Sequence, residues 1–204
     1  MFSNFVFDWS GTLSDDFDIC YEAGMKTLEA FGAKRITRAE YVQRFELPYM
    51  NYYRKLGVTA SREELQTVYV TAIAGLKPKP VPGAAKVLEE LALRGKKMAV
   101  LSAHPHEKLV EEAGDYGFAG FFEKILGSVH DKRTALPAML QELGFEKADT
   151  VFVGDHVHEI DAGRAAGIAT AVFPSKYSTY ALLEAAKPTY LLKSIDGLLE
   201  LAGE

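Results

Sequence analysis

The sequence predicts an α/β protein, a Rossmann-like parallel-sheet core with an inserted helical cap. Three observations predict it. Four short runs are apolar throughout: Phe5-Val6-Phe7, Met98-Ala99-Val100-Leu101, Val151-Phe152-Val153 and Ile168 to Phe173. Helical patterns with clear stops alternate with the later runs. The segment 15–79 breaks that rhythm and holds no convincing strand.

Each apolar run is too short for a helix and has the character of a strand buried on both faces. Residues 83–94 follow Val81-Pro82-Gly83 and stop at Gly95, which is sound helix punctuation. Residues 105–116 open with Pro105, residues 133–143 stop at Gly144, and residues 158–166 end at Gly167. Strand followed by helix, repeated, implies a parallel sheet with right-handed crossovers. Within 15–79 the pattern predicts helices over roughly 16–31, 37–46, 49–56 and 61–76. Lys77-Pro78-Lys79-Pro80 reads as a stiff return linker. The expected division is therefore a core of residues 1–14 and 80–204 and a helical cap of residues 15–79.

The totals narrow the function. The chain has 204 residues, 48% of them hydrophobic and 25% charged, enough for a core with a large insertion. A net charge of −5 speaks against bulk attraction to nucleic acid or to an anionic membrane. No apolar run approaches the roughly 18 residues of a membrane span. The opening MFSNFVFDWS lacks a basic leader region and reads as a strand rather than a secretion signal. Cys20 is the only cysteine, which fits a reducing cytoplasm. No pattern points to an oligomeric state.

Three of the runs end in a polar residue: Asp8, Ser102 and the pair Gly154-Asp155. In an open parallel sheet the C-terminal strand ends line one crevice, where ligands bind. Two carboxylates brought together there repel unless a cation lies between them. Mg²⁺ suits oxygen ligands and commonly sits between carboxylates and a substrate phosphate.

This set resembles the motifs of the haloacid dehalogenase superfamily, mostly Mg²⁺-dependent phosphohydrolases. The first motif is Asp8-Trp9-Ser10-Gly11-Thr12-Leu13, and the second is Ser102. The third is Lys132, within His130-Asp131-Lys132-Arg133. The fourth is Gly154-Asp155-His156-Val157-His158-Glu159. All four fall in order over nearly the whole chain, and the helical insert is similar to the family's C1 cap. The resemblance implies that Asp8 attacks phosphorus and forms an aspartyl-phosphate. It further implies that Thr12 and Ser102 hold phosphoryl oxygens, with Gly11 and Ala103 beside them, and that Lys132 neutralises charge. Asp8, Asp155 and the Ser10 carbonyl would hold Mg²⁺. Glu159 stands where the family usually has Asp and, one methylene longer, would reach the metal through a water.

Ser10 departs from the pattern. The phosphatases carry an acid there that protonates the leaving oxygen and later activates water, and losing a positioned acid/base costs roughly 10²–10⁴-fold. His104, His106, His156 and His158 follow motif residues and are apt stand-ins near neutral pH. Three other readings stay open. A phosphonatase-like hydrolase fits Asp8-Trp9-Ser10, but a rough alignment puts Tyr49 where those relatives have a lysine, with Lys55 six residues on. A metal-free dehalogenase would prefer an aromatic residue at position 10. A phosphometabolite- or partner-binding protein would need no acid at all.

The cap is expected to choose the substrate. Residues 34–55 hold six basic and two acidic residues, and Tyr49 and Arg54 are the expected contacts. An arginine there suits the carboxylate of a small phosphorylated acid such as phosphoglycolate. The expected partner is thus a small phosphorylated metabolite, with nucleotide monophosphates as the alternative.

Overall fold

A computed structural model of the chain describes residues 1–203. It divides into two compact units, Met1–Asp15 with Lys79–Glu204, and Asp16–Pro78.

The first unit is built on a six-stranded parallel sheet. Its strands are β1 (Asn4–Phe7), β4 (Lys97–Leu101), β5 (Lys124–Leu126), β6 (Thr150–Gly154), β7 (Ala169–Val172) and β8 (Tyr190–Leu191). A further pair, β2 (Ser14–Asp15) and β3 (Lys79–Pro80), is antiparallel and stands apart from the sheet. The order is β5-β4-β1-β6-β7-β8. β1 is central, with Phe7 opposite Val100 on one side and Val153 on the other. The chain's crossovers reverse direction at β1, so the crevice expected at such a switch opens where β1, β4 and β6 end.

The helices of this unit are α5 (Ala84–Leu93), α6 (His106–Asp115), α7 (Lys132–Leu143), α8 (Val157–Ala166), α9 (Tyr180–Ala185) and α10 (Leu198–Ala202). Successive side chains of β1 point to opposite faces. Phe5 and Phe7 pack with Val87, Leu88 and Leu91 of α5, Leu109 of α6 and Leu198 of α10. Val6 packs with Leu136 and Leu140 of α7 and Ala162 and Ala166 of α8. Both faces are covered, which is why the strands carry no polar alternation.

The second unit consists of α1 (Phe17–Ala30), α2 (Arg38–Arg44), α3 (Tyr49–Lys55) and α4 (Arg62–Ile73). Thr37 with Glu40 and Ser61 with Glu64 form reciprocal capping boxes that start α2 and α4. α1 packs on α4. Tyr41 meets Phe17, Tyr21, Phe45 and Tyr52, all with ring centroids 5.2–6.0 Å away, which makes an aromatic core. Among the described residues no helix is long and apolar enough to cross a membrane.

The structure adds what the apolar runs left out. β5 is three half-buried residues and β8 is two, at the two edges of the sheet. Lys79–Pro80, read as linker, is a strand: Pro80 lies opposite Ser14, and Val81 N donates to Leu13 O at 2.9 Å. A two-residue edge pairing needs no donor from proline, so the residue that argued for a linker is compatible with the strand.

α8 approaches β7 closely at Gly163, where an added Cβ would sit 2.2 Å from Thr170 Cγ2. Gly163→Ala is expected to destabilise the protein by about 1–3 kcal/mol through overpacking, read by urea denaturation.

Candidate active site

Asp8 follows β1 directly, and its amide donates to Val153 O at 2.9 Å, which extends the pairing with β6 by one residue. The chain then turns. The Trp9 carbonyl accepts from the amides of Thr12, Leu13 and Ser14 at 3.1, 2.8 and 3.0 Å, and Gly11 N donates to Ser14 O at 2.8 Å. Gly11 has φ +74°, and an added Cβ would lie 2.2 Å from Asp155 Oδ2 and 2.7 Å from Tyr177 Cδ2. Glycine is required there both for the left-handed backbone and for the close approach of the strand-end carboxylate.

The carboxylates meet beside this turn. One oxygen each from Asp8, Asp155 and Glu159 lie within 4.8 Å of one another, and all three residues are buried. Lys132 opens α7, although a cation at a helix N-terminus opposes the helix dipole. It is held there by charge: its Nζ lies 2.8 Å from Asp8 Oδ1 and 2.6 Å from Glu159 Oε1. The other Glu159 oxygen accepts from His156 N at 3.0 Å, at the start of α8. Both Glu159 oxygens therefore have protein partners. Asp155 Oδ1 accepts from Thr12 Oγ1 at 3.3 Å, and Oδ2 accepts from Ser175 Oγ, which itself accepts from Tyr177 N at 2.9 Å.

Three buried carboxylates face one ammonium. Burial pushes the Asp8 carboxyl up, Lys132 pulls it back, and the Glu159 charge adds to the rise. Burial, then the charges of Glu159 and Asp8, raises Asp155 well above the usual carboxylate range. Lys132 is driven down by burial but ends above its ordinary value because Asp8 and Glu159 hold its proton. The surplus of negative charge and the all-oxygen donors fit a hard divalent cation.

Ser102 directly follows β4 at the same edge; its Oγ accepts from His104 N at 3.2 Å, and Ala103 beside it is half-buried. Ser10 Oγ lies 3.5 Å from His104 Nδ1. The other histidines have different settings. His106 Nδ1 accepts from Gly127 N at 3.2 Å. His156 and His158 stack with centroids 4.3 Å apart, and burial with the neighbouring His156 drives His158 down to about 2. Tyr49 and Arg54 lie on α3 in the helical unit, Tyr49 half-buried and Arg54 exposed. Sequence reasoning missed two side chains: Ser175, which orients Asp155, and Glu112 of α6, whose Oε2 accepts from Trp9 Nε1 at 2.8 Å. The only sequence signal for Glu112 is an acid beside the apolar positions Leu109 and Ala113 of the same helix.

The parallel sheet brings Asp8, Ser102 and Asp155 to the carboxyl ends of adjacent strands, with Lys132 of α7 against Asp8, in an α/β core. Residues 5–173 match the haloacid dehalogenase-like hydrolase family, and the chain belongs to it. It is 23% identical to pyrophosphatase PpaX of Halalkalibacterium halodurans, over 97% of this chain and 95% of that protein. It is also 23% identical to the phosphoglycolate phosphatase of Synechococcus elongatus, over 96% of this chain and 94% of that one. A haloacid dehalogenase-like family hydrolase of Streptococcus pneumoniae has the same fold. It superposes with a TM-score of 0.84 over 99% of both chains at 17% identity.

Lys132→Ala would leave Asp8 and Glu159 buried without their shared cation. The expected loss is about 3–5 kcal/mol of stability, read by denaturant titration in the presence of chelator.

Proposed function

We propose that the protein is a Mg²⁺-dependent hydrolase of a small phosphate monoester, phosphoglycolate-like in size, that works through an aspartyl-phosphate on Asp8. The observation that carries this reading is the buried Lys132 at 2.8 Å from Asp8, at the strand edge shared with Ser102 and Asp155.

An Asp8 oxygen attacks phosphorus, and the bond from phosphorus to the leaving oxygen breaks with its electron pair on that oxygen. The leaving oxygen then takes up a proton. Water next attacks the phosphorus of phospho-Asp8 and gives up a proton, releasing inorganic phosphate and restoring the carboxylate. Thr12 and Ser102 orient the phosphoryl oxygens, and Gly11, whose amide is held by Ser14 O, shapes the turn beside them. Lys132 keeps Asp8 ionised against the cost of burial and faces the charge of the transferred group. Asp8, Asp155 and the Ser10 carbonyl would hold Mg²⁺, which when bound screens the repulsion between nucleophile and phosphate. Glu159 holds Lys132 in place. Catalysis of this kind is largely positioning and charge stabilisation.

The substrate class rests on two supports. Two relatives bear the names of a pyrophosphatase and a phosphoglycolate phosphatase. In the basic stretch 34–55, Arg35, Arg38, Arg44 and Lys55 pair with neighbouring carboxylates, so a second anionic group of the substrate would fall to Arg54. Tyr49 and Arg54 are our candidates for that contact, and Ala103 for the phosphoryl pocket. We read the setting as a reducing cytoplasm, where the lone Cys20 stays a thiol.

The test is phosphate release from phosphoglycolate, pyrophosphate and a panel of monoesters, with Mg²⁺ and with chelator. Asp8→Asn is expected to abolish Mg²⁺-dependent release. Pyrophosphate hydrolysed faster than every monoester would replace the substrate assignment but keep the mechanism. Ser10 favours a second reading, a phosphate binder with little turnover. That reading wins if vanadate binds with Mg²⁺ but no ester is cleaved.

Ser10→Asp is expected to raise turnover on an alkyl phosphate by about tenfold or more, part of the 10²–10⁴-fold that an acid/base supplies. Unchanged steady-state rates would show that the serine does not limit the chemistry.

A further inference from the structure

Glu112 is a buried carboxylate, 3% exposed, that the reaction above leaves unused. Burying a carboxylate is costly unless donors replace its water. Its donors come from one place. Trp9 Nε1 donates to Oε2 at 2.8 Å and Ser14 Oγ donates to the same oxygen at 3.4 Å. His104 Nε2 lies 3.5 Å from Oε1.

Trp9 and Ser14 are the two ends of the turn that contains Ser10, Gly11 and Thr12, and Trp9 directly follows Asp8. The backbone closes this turn on the Trp9 carbonyl. Glu112 closes it again from outside, through the side chains of both ends. Tyr116, four residues after Glu112, adds to the same clamp: its ring stacks on the indole at 5.7 Å, and its hydroxyl lies 2.9 Å from Ser14 Oγ. The imidazole beside Glu112 also borders Ser10, and its residue's amide donates to Ser102 Oγ at 3.2 Å. One carboxylate thus touches, directly or through one residue, both phosphate-facing strand ends on this side of the sheet.

We propose that Glu112 is a positioning residue for phosphoryl transfer: it clamps Trp9 to Ser14 so that Asp8 and Thr12 keep one orientation toward the phosphoryl group. The chemical consequence rests on the hydrolase reading above; the clamp itself does not. A misplacement of about 1 Å costs roughly 10²-fold in rate. Glu112→Leu is therefore expected to lower kcat about 100-fold with KM within about threefold. Glu112→Gln keeps an acceptor for Trp9 and Ser14 and is expected to retain most of kcat. Leu198→Ala, a core truncation on α10, serves as the control for lost stability alone.

Trp9 is the sole tryptophan, so its indole N–H gives one ¹⁵N NMR signal that reads the clamp without turnover. Glu112→Leu is expected to move that signal and speed its exchange with solvent. Beryllofluoride with Mg²⁺, a mimic of the phosphorylated aspartate, is expected to bind the wild type. Its affinity, measured by calorimetry, is expected to be at least about tenfold weaker in Glu112→Leu and near wild type in Glu112→Gln.

A Glu112→Leu protein with kcat within threefold of wild type overturns the proposal. So does a loss no larger than that of Leu198→Ala at equal thermal midpoint. If the wild type cleaves no ester, the hydrolase reading fails on its own. The clamp is then decided by beryllofluoride affinity and the indole signal, and both unchanged in Glu112→Leu overturn it. A wild type that neither turns over nor binds beryllofluoride overturns both proposals. If Glu112→Leu does not fold, Trp9→Phe removes the same bond from the other side. A kcat and beryllofluoride affinity equal to wild type then count against the clamp.

Discussion

The site depends on one ammonium group. Lys132 sits buried between Asp8 and Glu159, and it is what allows two carboxylates to be buried side by side. Each partner also serves another element. Asp8 extends the pairing of β1 with β6, and Glu159 ties back to the first amide of the α8 turn through His156. The lysine therefore joins the ends of a strand and two helices whose sequence positions are far apart. Such a pair contributes little net stability compared with an apolar core, but it does fix an arrangement, since any displacement exposes an unpaired buried charge.

The third carboxylate is arranged differently. Asp155 is held by the hydroxyls of Thr12 and Ser175. Neutral donors orient a carboxylate without supplying the positive charge that would hold it ionised against burial and repulsion. One carboxylate pair is compensated from inside the protein and one carboxylate is not. That asymmetry fits a cationic partner, since burial and the charges of Glu159 and Asp8 push Asp155 toward its neutral form.

Much of this was legible in the sequence. The four apolar runs are strands of the sheet because each is covered on both faces, and continuous apolarity is the signature of that environment. Asp8, Ser102 and Asp155 are legible because three apolar runs end in a polar residue together, two of them in carboxylates, where one such ending alone would be ordinary. β5 and β8 were not legible because half-buried edge strands of three and two residues carry no periodicity. Glu112 was hidden for a different reason: an acid in Glu111-Glu112 reads as a solvated helix face. Only the fold shows that one of the two faces Trp9 while the other pairs with Lys108 at 3.0 Å. Ser175 likewise gains its meaning from a contact across twenty residues.

The short pair of β2 and β3 has a consequence for the history of such proteins. The chain leaves the core at Asp15 and re-enters at Lys79, opposite each other in the same ladder. The core thus presents a socket whose two pins are already adjacent. Lengthening the excursion between them costs only about 0.6 kcal/mol per doubling, because closure entropy grows with the logarithm of loop length. A lineage can therefore exchange, enlarge or trim the inserted helices while the sheet and its charged edge stay unaltered. New specificities can be tried at that junction without rebuilding the chemistry.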